Sequence, residues 1–330
     1  MKTKTMKAAC VEAYGGPEQI QIKNIAIPKA HRGEVLVKVH ASSATTADSM
    51  IRTGKPYFGR LILGLLKPKY PVSGTGFSGE VIALGESVHN FKLGDQVFGE
   101  TTLNFGTNAE YLSIKEAGVI LPKPESLSHE EAAVFCDGPL TSYNFLVSLA
   151  RIKAGQKVLI NGAAGSLGSA AVQIANYYGA EVTALASTEN FSKLKELGAH
   201  HCVDYKTTAI ENLSERFDIF YDTVGKSSFK QAKKVLSKEG QYYSPVLNLS
   251  TLVDMICTKL FKAKQRAHFA ATGMLKDPEL KVMLEKVLQI QIAAKLKVPI
   301  FRQYPLEKVA EAHRLLASGT KKFNLVIRNL

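Results

Sequence analysis

One stretch of this 330-residue chain has the residue types and spacing to hold a diphosphate. Lys157 to Ile160 reads as a short buried strand. It runs through Asn161, Gly162, Ala163, Ala164, Gly165, Ser166 and Leu167 to Gly168, and then directly into a helical pattern. A pyrophosphate must approach the backbone closely, so side chains there must be small, and a helix start must point free N–H groups at the anion. Gly165 and Ser166 would make that approach, and Gly168 would let the helix pack closely on the sheet. A glycine triplet alone carries little information, but one set between a strand and an amphipathic helix points to a bound phosphate.

The elements around this loop have a consistent order. From Leu167 to Tyr178 the apolar residues Leu167, Ala171, Ile174, Ala175 and Tyr178 fall on one helical stripe, which Gly179 ends. Further strands are expected at Glu181–Ala186, Cys202–Tyr205, Asp218–Asp222 and Gln241–Ser244, with a helix at Ser192–Leu197. Strands alternating with helices predict an α/β, doubly wound parallel sheet covered on both faces. The first 120 or so residues are different: Val35, Val37 and Val39 alternate with Leu36, Lys38 and His40, and turn signals recur, as expected of a barrel or strongly bent sheet. Ser128 and Glu131 have capping-box spacing for a helix start. Asp277 and Pro278 are expected at the N-cap and first turn of a long helix ending near Leu296.

Composition excludes several classes. Lys and Arg number 42 against 29 Asp and Glu, a net charge of +13, which is open to two readings: an anionic partner, or a solvated lysine-rich surface. Cys10, Cys136, Cys202 and Cys257 are scattered and form no CxxC pair, which excludes a four-cysteine structural zinc lobe or a disulfide framework. The longest obvious apolar cluster, Leu61 to Leu66, is interrupted by Gly64, whereas a membrane span needs about 20 residues. The N-terminus is basic without a signal-peptide core. The expectation is a cytoplasmic, reduced protein with no membrane partner.

The loop spacing is GxxGxxG, and with Ala171-Val172-Gln173 beyond it the segment resembles the cofactor loop of medium-chain dehydrogenases/reductases, nearest the quinone-oxidoreductase branch that includes the zeta-crystallins. The blocks Gly33–Val39, Gly94–Gly99, Asp222–Gly225 and Pro305–His313 resemble the same family in the same order. The resemblance implies a GroES-like catalytic domain over 1–124, completed by 297–330, and a Rossmann-type dinucleotide-binding domain over 125–296. It also implies a homodimer, formed by strands near Phe269 to Thr272.

NAD-preferring sites carry an acid at the end of the second strand to hold the ribose hydroxyls. Here that strand ends Leu185-Ala186-Ser187-Thr188, without one, so NADPH is expected rather than NADH. Ser187 would hydrogen-bond the 2′-phosphate, and the resemblance places Tyr205 against it. Lys193 is either a phosphate contact or a surface lysine, and Glu189 is discordant with a phosphate. The family mapping adds Gly162, Ala164, Gly165, Ser166, Leu167, Gly168, Val224, Thr141 and Asn324 to the cofactor set.

The same mapping puts Thr45, Thr75 and Cys136 where zinc-dependent relatives carry their catalytic ligands. Two hydroxyls and one thiol do not make a catalytic zinc site, so no metal is expected. Without a Lewis acid, quinones and enones are the plausible hydride acceptors. Thr45 is the leading hydrogen-bond donor to a substrate oxygen, and Asp48 is expected to hold the loop. Tyr57 is either a cleft proton donor or a loop aromatic, and the run Tyr57–Leu66 either a flap or a packed connection between strands. The expected function is reduction of a small hydrophobic quinone or α,β-unsaturated carbonyl. Alternatives are a zinc-dependent alcohol or aldehyde dehydrogenase, or a protein binding RNA through Lys259, Lys262, Lys264, Arg266 and His268.

Overall fold

The computed structural model describes residues 4–294 and 296–329. It divides into two compact units: Met1–Asp137 with Lys276–Glu285 and Pro299–Leu330, and Gly138–Leu275 with Lys286–Val298.

The first unit opens with an antiparallel pair, β1 (Thr5–Val11) and β2 (Ile20–Ala26). The eleven-residue β3 (Glu34–Ala44) organises the main sheet, because its inward residues Val35, Val37 and Val39 are all buried. The helix α1 (Thr46–Thr53) follows it directly, and a short turn then leads to α2 (Arg60–Leu63). Next come β4 (Gly76–Leu84), β5 (Gln96–Glu100), β6 (Tyr111–Lys115) and β7 (Val119–Pro122). β4 and β6 both pair antiparallel with β3, β5 pairs with β4, and β7 with β5. Phe77, Val81, Val97, Leu112 and Ile120 join the β3 valines in one core cluster. Ser128 starts α3 (His129–Ala133) with the expected reciprocal bonds to Glu131.

The second unit begins with the short α4 (Thr141–Tyr143) and then alternates strand and helix: β8 (Lys157–Asn161), α5 (Ser166–Tyr177), β9 (Glu181–Ala186), α6 (Phe191–Glu196), β10 (His201–Asp204), β11 (Phe217–Asp222), α7 (Phe229–Ala232), β12 (Leu236–Ser244), α8 (Leu249–Leu260) and β13 (Arg266–Phe269). The sheet order is β10-β9-β8-β11-β12-β13, all parallel. The chain fills one side of β8 and then the other, so the order reverses between β8 and β11, the usual place for a nucleotide in an open parallel sheet. Val158, Leu159 and Ile160 of β8 are fully buried, as a strand covered on both faces requires.

The long α9 (Asp277–Ala294) has Asp277 as its first helical residue rather than its cap. β14 (Ile300–Pro305), α10 (Val309–Ser318) and β15 (Asn324–Arg328) return to the first unit, where β15 pairs antiparallel with β3. The edge strand expected around Phe269–Thr272 lies slightly earlier, and Thr272–Met274 is a helical turn.

The apolar run after Tyr57 is not a packed connection. Leu61, Ile62, Leu65 and Leu66 are exposed by 78%, 49%, 65% and 91%, because a one-turn helix offers too little face to bury four large side chains.

Candidate functional site

The strand ends of the second unit place a row of candidate residues in order. Register pairs Asn161 with Leu185 on one side and with Asp222 on the other, and Asp204 pairs with Ala186. The residues just past these ends, Tyr205, Ser187, Gly162 and Val224, therefore follow one another along the carboxyl edge of β10, β9, β8 and β11.

The glycine loop is shaped by exclusion. Gly162 has φ +75°, and a Cβ there would lie 2.7 Å from both Thr223 Oγ1 and Val224 Cγ1. A Cβ on Gly168 would meet the Gly162 carbonyl oxygen at 2.2 Å and Ala163 Cα at 2.6 Å, so α5 sits directly on the strand–loop junction. Gly165 is the N-cap of α5 and supplies no side chain, and its N–H donates to the Gly162 carbonyl at 2.9 Å. The first N–H groups of any helix lack intrahelical acceptors, so Ser166, Leu167 and Gly168 present a donor set for an anion. Thr141 opens α4, and its neighbour Ser142 donates to the Leu167 carbonyl at 2.8 Å.

Asp222, expected as a strand end and as part of a family block, organises the neighbouring loop. It is fully buried. Its Oδ1 accepts from Asn161 Nδ2 at 3.0 Å and from the backbone N–H groups of Val224 at 3.3 Å and Gly225 at 3.0 Å. Its Oδ2 accepts from the Ser227 N–H at 2.8 Å and Tyr242 Oη at 3.0 Å. Burial raises its pKa, against these bonds, which favour the charged form.

The end of β9 differs from expectation. Ser187 is buried, and its Oγ accepts from Asn190 Nδ2 at 2.9 Å. Beside it the Thr188 N–H donates to Asp204 Oδ2 at 3.1 Å, and the Thr188 hydroxyl donates to the same oxygen. The second strand ends without an acid, but the third brings one to the same place. The Thr188 hydroxyl, chiefly, and the Lys206 N–H hold the Asp204 carboxyl below its ordinary pKa. Lys193 is engaged by Glu196 at 2.9 Å, and Lys206 Nζ lies 4.0 Å from Glu189. Tyr205 and Val224 are exposed.

In the first unit, Thr45 is the N-cap of α1 and almost fully buried. Its Oγ1 donates to Asp48 Oδ2 at 3.0 Å, its N–H donates to the same oxygen at 2.8 Å, and the Asp48 N–H returns a bond to Oγ1 at 3.2 Å. Burial pushes Asp48 up to about 7, and its Oδ1 has no hydrogen-bond partner. Glu100, at the end of β5, is pushed up to about 8 by burial, then by Asp137 and Asp48. These acids are a missed feature. Asp48 was legible as an N3 acid, whereas Glu100 gave no signal in its own segment. Leu325 pairs with Ala44, so Asn324 and Thr45 sit at the same end of that strand pair. Asn324 is buried, and its Nδ2 donates to the Pro299 carbonyl at 3.0 Å. Tyr57 is 66% exposed with the Arg60 guanidinium 4.9 Å from its ring centre.

The mapped metal positions do not fit zinc. The Thr45 hydroxyl is committed to Asp48, and Thr75 contributes only its carbonyl, to the Thr101 N–H and hydroxyl. Burial, then Glu100 and Asp137, hold the Cys136 thiol well above its ordinary pKa, in the protonated form that binds metal poorly. Among the described residues no group of three or more His, Cys, Asp or Glu is placed to hold a metal ion.

The human quinone oxidoreductase is 30% identical over 329 residues, covering 96% of this chain and 95% of that one. The chain belongs to the medium-chain dehydrogenase/reductase superfamily, in its quinone oxidoreductase branch. Residues 31–125 match the model of the alcohol dehydrogenase GroES-like domain, and residues 197–327 that of a zinc-binding dehydrogenase. The structure of the quinone oxidoreductase from Coxiella burnetii superposes with a TM-score of 0.87 at 29% identity, covering 99% of this chain and all of that one. A chloroplastic NADPH-dependent alkenal/one oxidoreductase of Arabidopsis thaliana is 32% identical over 248 residues, 72% of this chain and 62% of that protein. This branch member therefore combines a GroES-like domain with a Rossmann-type domain and is an oxidoreductase by family.

Proposed function

We propose that the chain is an NADPH-dependent, zinc-independent reductase that delivers hydride to a quinone or to the β-carbon of an α,β-unsaturated carbonyl. The observation that carries the reading is the Gly162–Gly168 loop, where a Cβ at Gly168 would strike the backbone of Gly162 and Ala163 just past β8 and α5 starts with a side-chain-free cap. A nicotinamide bound there supplies the hydride. Ser166, Leu167 and Gly168 N–H groups hold the diphosphate, and Asp222 fixes the adjoining 223–227 loop through five hydrogen bonds. Thr141 and Asn324 belong to the nicotinamide side of the site in this reading.

Three features support the finer assignment. The second strand ends in Ser187 rather than an acid, which suits a 2′-phosphate, with Tyr205 one strand away. The relative from Arabidopsis thaliana carries NADPH in its name. Two hydroxyls and a neutral thiol at the mapped metal positions leave no Lewis acid, so acceptors that delocalise the incoming charge are favoured. On the substrate side Tyr57 orients the acceptor oxygen, joined by Thr45 once its hydroxyl turns from Asp48 to the substrate. The accompanying proton is assigned to Asp48, whose buried carboxyl keeps one oxygen, Oδ1, without a hydrogen-bond partner and is pushed up to about 7 by burial.

Mixing the protein with NADPH and a panel of quinones, enones and simple ketones tests this, with products identified by mass spectrometry. Reduction of quinones or of the carbon–carbon bond of enones is expected. Reduction of simple ketones by protein carrying stoichiometric zinc would replace this reading with that of an alcohol dehydrogenase.

A further inference from the structure

Helix α8 (Leu249–Leu260) turns most of its large apolar residues outward. Leu249, Leu252, Val253, Ile256 and Leu260 fall within roughly 100° of arc at 3.6 residues per turn, and all five point to solvent, 39% to 77% exposed. Phe261, the C-cap, is also exposed, by 77%. The inward face carries Met255, half-buried and packed against the core, beside the buried Thr251 and Thr258 and the half-buried Asp254. Local hydrogen bonds satisfy that face, Thr251 Oγ1 donating to Asn248 Oδ1 at 3.0 Å and Thr258 Oγ1 to the Asp254 carbonyl at 2.7 Å. A continuous apolar stripe of this size facing water marks a binding surface.

Charge identifies the occupant. Residues 249–269 contain four basic side chains, Lys259, Lys262, Lys264 and Arg266, all exposed, against one acid, Asp254, which is on the inward face. Lys264 has an exposed partner, Glu239, at 3.7 Å, and Arg266 Nε donates to the Ala263 carbonyl at 2.9 Å. A second copy docked face to face would set this basic rim against itself. An RNA backbone would use the charges and leave the stripe wet. An apolar stripe with lysines along its border and at its C-terminal end instead suits a bilayer with anionic headgroups, the helix lying in the plane of the interface. No helix among the described residues is long and apolar enough to cross a membrane, and α8 is only 12 residues long.

We infer that α8 is a membrane-surface docking element, its apolar stripe entering the interface of an anionic lipid bilayer and its basic rim contacting the headgroups. This revises the expectation of no membrane partner, which rested on the absence of a long apolar run; a stripe written at helical period leaves no such run.

Flotation of the full chain with phosphatidylcholine vesicles, with and without phosphatidylglycerol, tests the assignment. Wild type is expected to float with the anionic vesicles only, and progressively less as salt rises. Ile256→Asp with Leu260→Asp places two carboxylates on the stripe and is expected to weaken flotation about tenfold or more. Both side chains are exposed, so circular dichroism and NADPH binding are expected to be unchanged. If that double variant misfolds, Lys262→Glu with Lys264→Glu carries the test, with loss of flotation expected. Wild type that stays unbound, floats equally with neutral vesicles, or floats undiminished as either folded double variant overturns the inference. So does a wild-type dimer that Ile256→Asp with Leu260→Asp converts to monomer, which would assign the stripe to a second copy.

Discussion

Thr45 and Asp48 hold each other. The Thr45 hydroxyl donates to Asp48 Oδ2 at 3.0 Å, and the Asp48 N–H donates back to that hydroxyl at 3.2 Å. The pair closes the first turn of α1, so the residue proposed to face the substrate oxygen is also the cap of a helix. Thr45→Val removes both bonds and is expected to cost about 1 kcal/mol of stability, as N-cap losses generally do. Thr45→Ser keeps the cap. Thermal unfolding of the two variants beside their turnover separates the roles: both lose stability equally only if the cap is unimportant, and turnover should fall in Thr45→Val alone.

Asp48 also sets a pH dependence. Its carboxyl titrates near 3.8 when unfolded and is pushed up to about 7 in the fold, so the folded state holds a proton that the unfolded chain releases between those values. Stability therefore falls as pH rises from about 4 to about 7 on account of this group. Asp48→Asn can still accept from Thr45 and does not titrate. Relative to wild type it is expected to gain stability across that window, measured by denaturant midpoints at a series of pH values.

The opposite sign is expected at His313. It is fully buried, Arg52 Nε donates to its Nδ1 at 3.3 Å, and burial, then Arg52, push it down to about 3. The unfolded chain binds a proton near 6.5 that the fold refuses, so this contribution to stability is lost as pH falls from there toward 3. His313→Asn offers Arg52 an amide oxygen and is expected to flatten this loss. His313→Ala strands the buried guanidinium, at a cost of about 1–3 kcal/mol.

Gly168 makes the sharpest prediction on the cofactor side. With the Gly162 carbonyl oxygen 2.2 Å from the position of an added Cβ, Gly168→Ala must lift α5 from the strand. Nicotinamide affinity is expected to fall about tenfold or more, since the diphosphate donors move with the helix. Isothermal titration with NADPH reads it directly.

Asp204 is expected to weaken a preference that Ser187 favours. Its carboxylate is fixed by Thr188, next to Ser187 at the end of β9, where the ribose is proposed to bind. Asp204→Asn removes a negative charge there and should raise NADPH affinity relative to NADH, an effect diminished by salt. An unchanged affinity ratio would place the 2′-phosphate elsewhere.

The glycine loop was legible because strand, loop and helix are contiguous in sequence, and the Ser128–Glu131 cap for the same reason. β3 was legible from the alternation of its valines. Asp204 was not, since it reaches the end of β9 from a neighbouring strand. Nor was the commitment of the Thr45 hydroxyl to Asp48, which depends on rotamers rather than residue types. The stripe of α8 was missed because its apolar residues are spaced at helical period and form no unbroken run, and no helix is expected over residues 249–260.

The central claim is hydride transfer from NADPH to a conjugated acceptor, and isotope tracing tests it most directly. NADPH deuterated at the nicotinamide hydride position is incubated with the protein and an enone, and the product is examined by NMR. The account predicts deuterium at the β-carbon of the saturated ketone. Deuterium on the carbonyl carbon, or unlabelled product with NADPH intact, would contradict it.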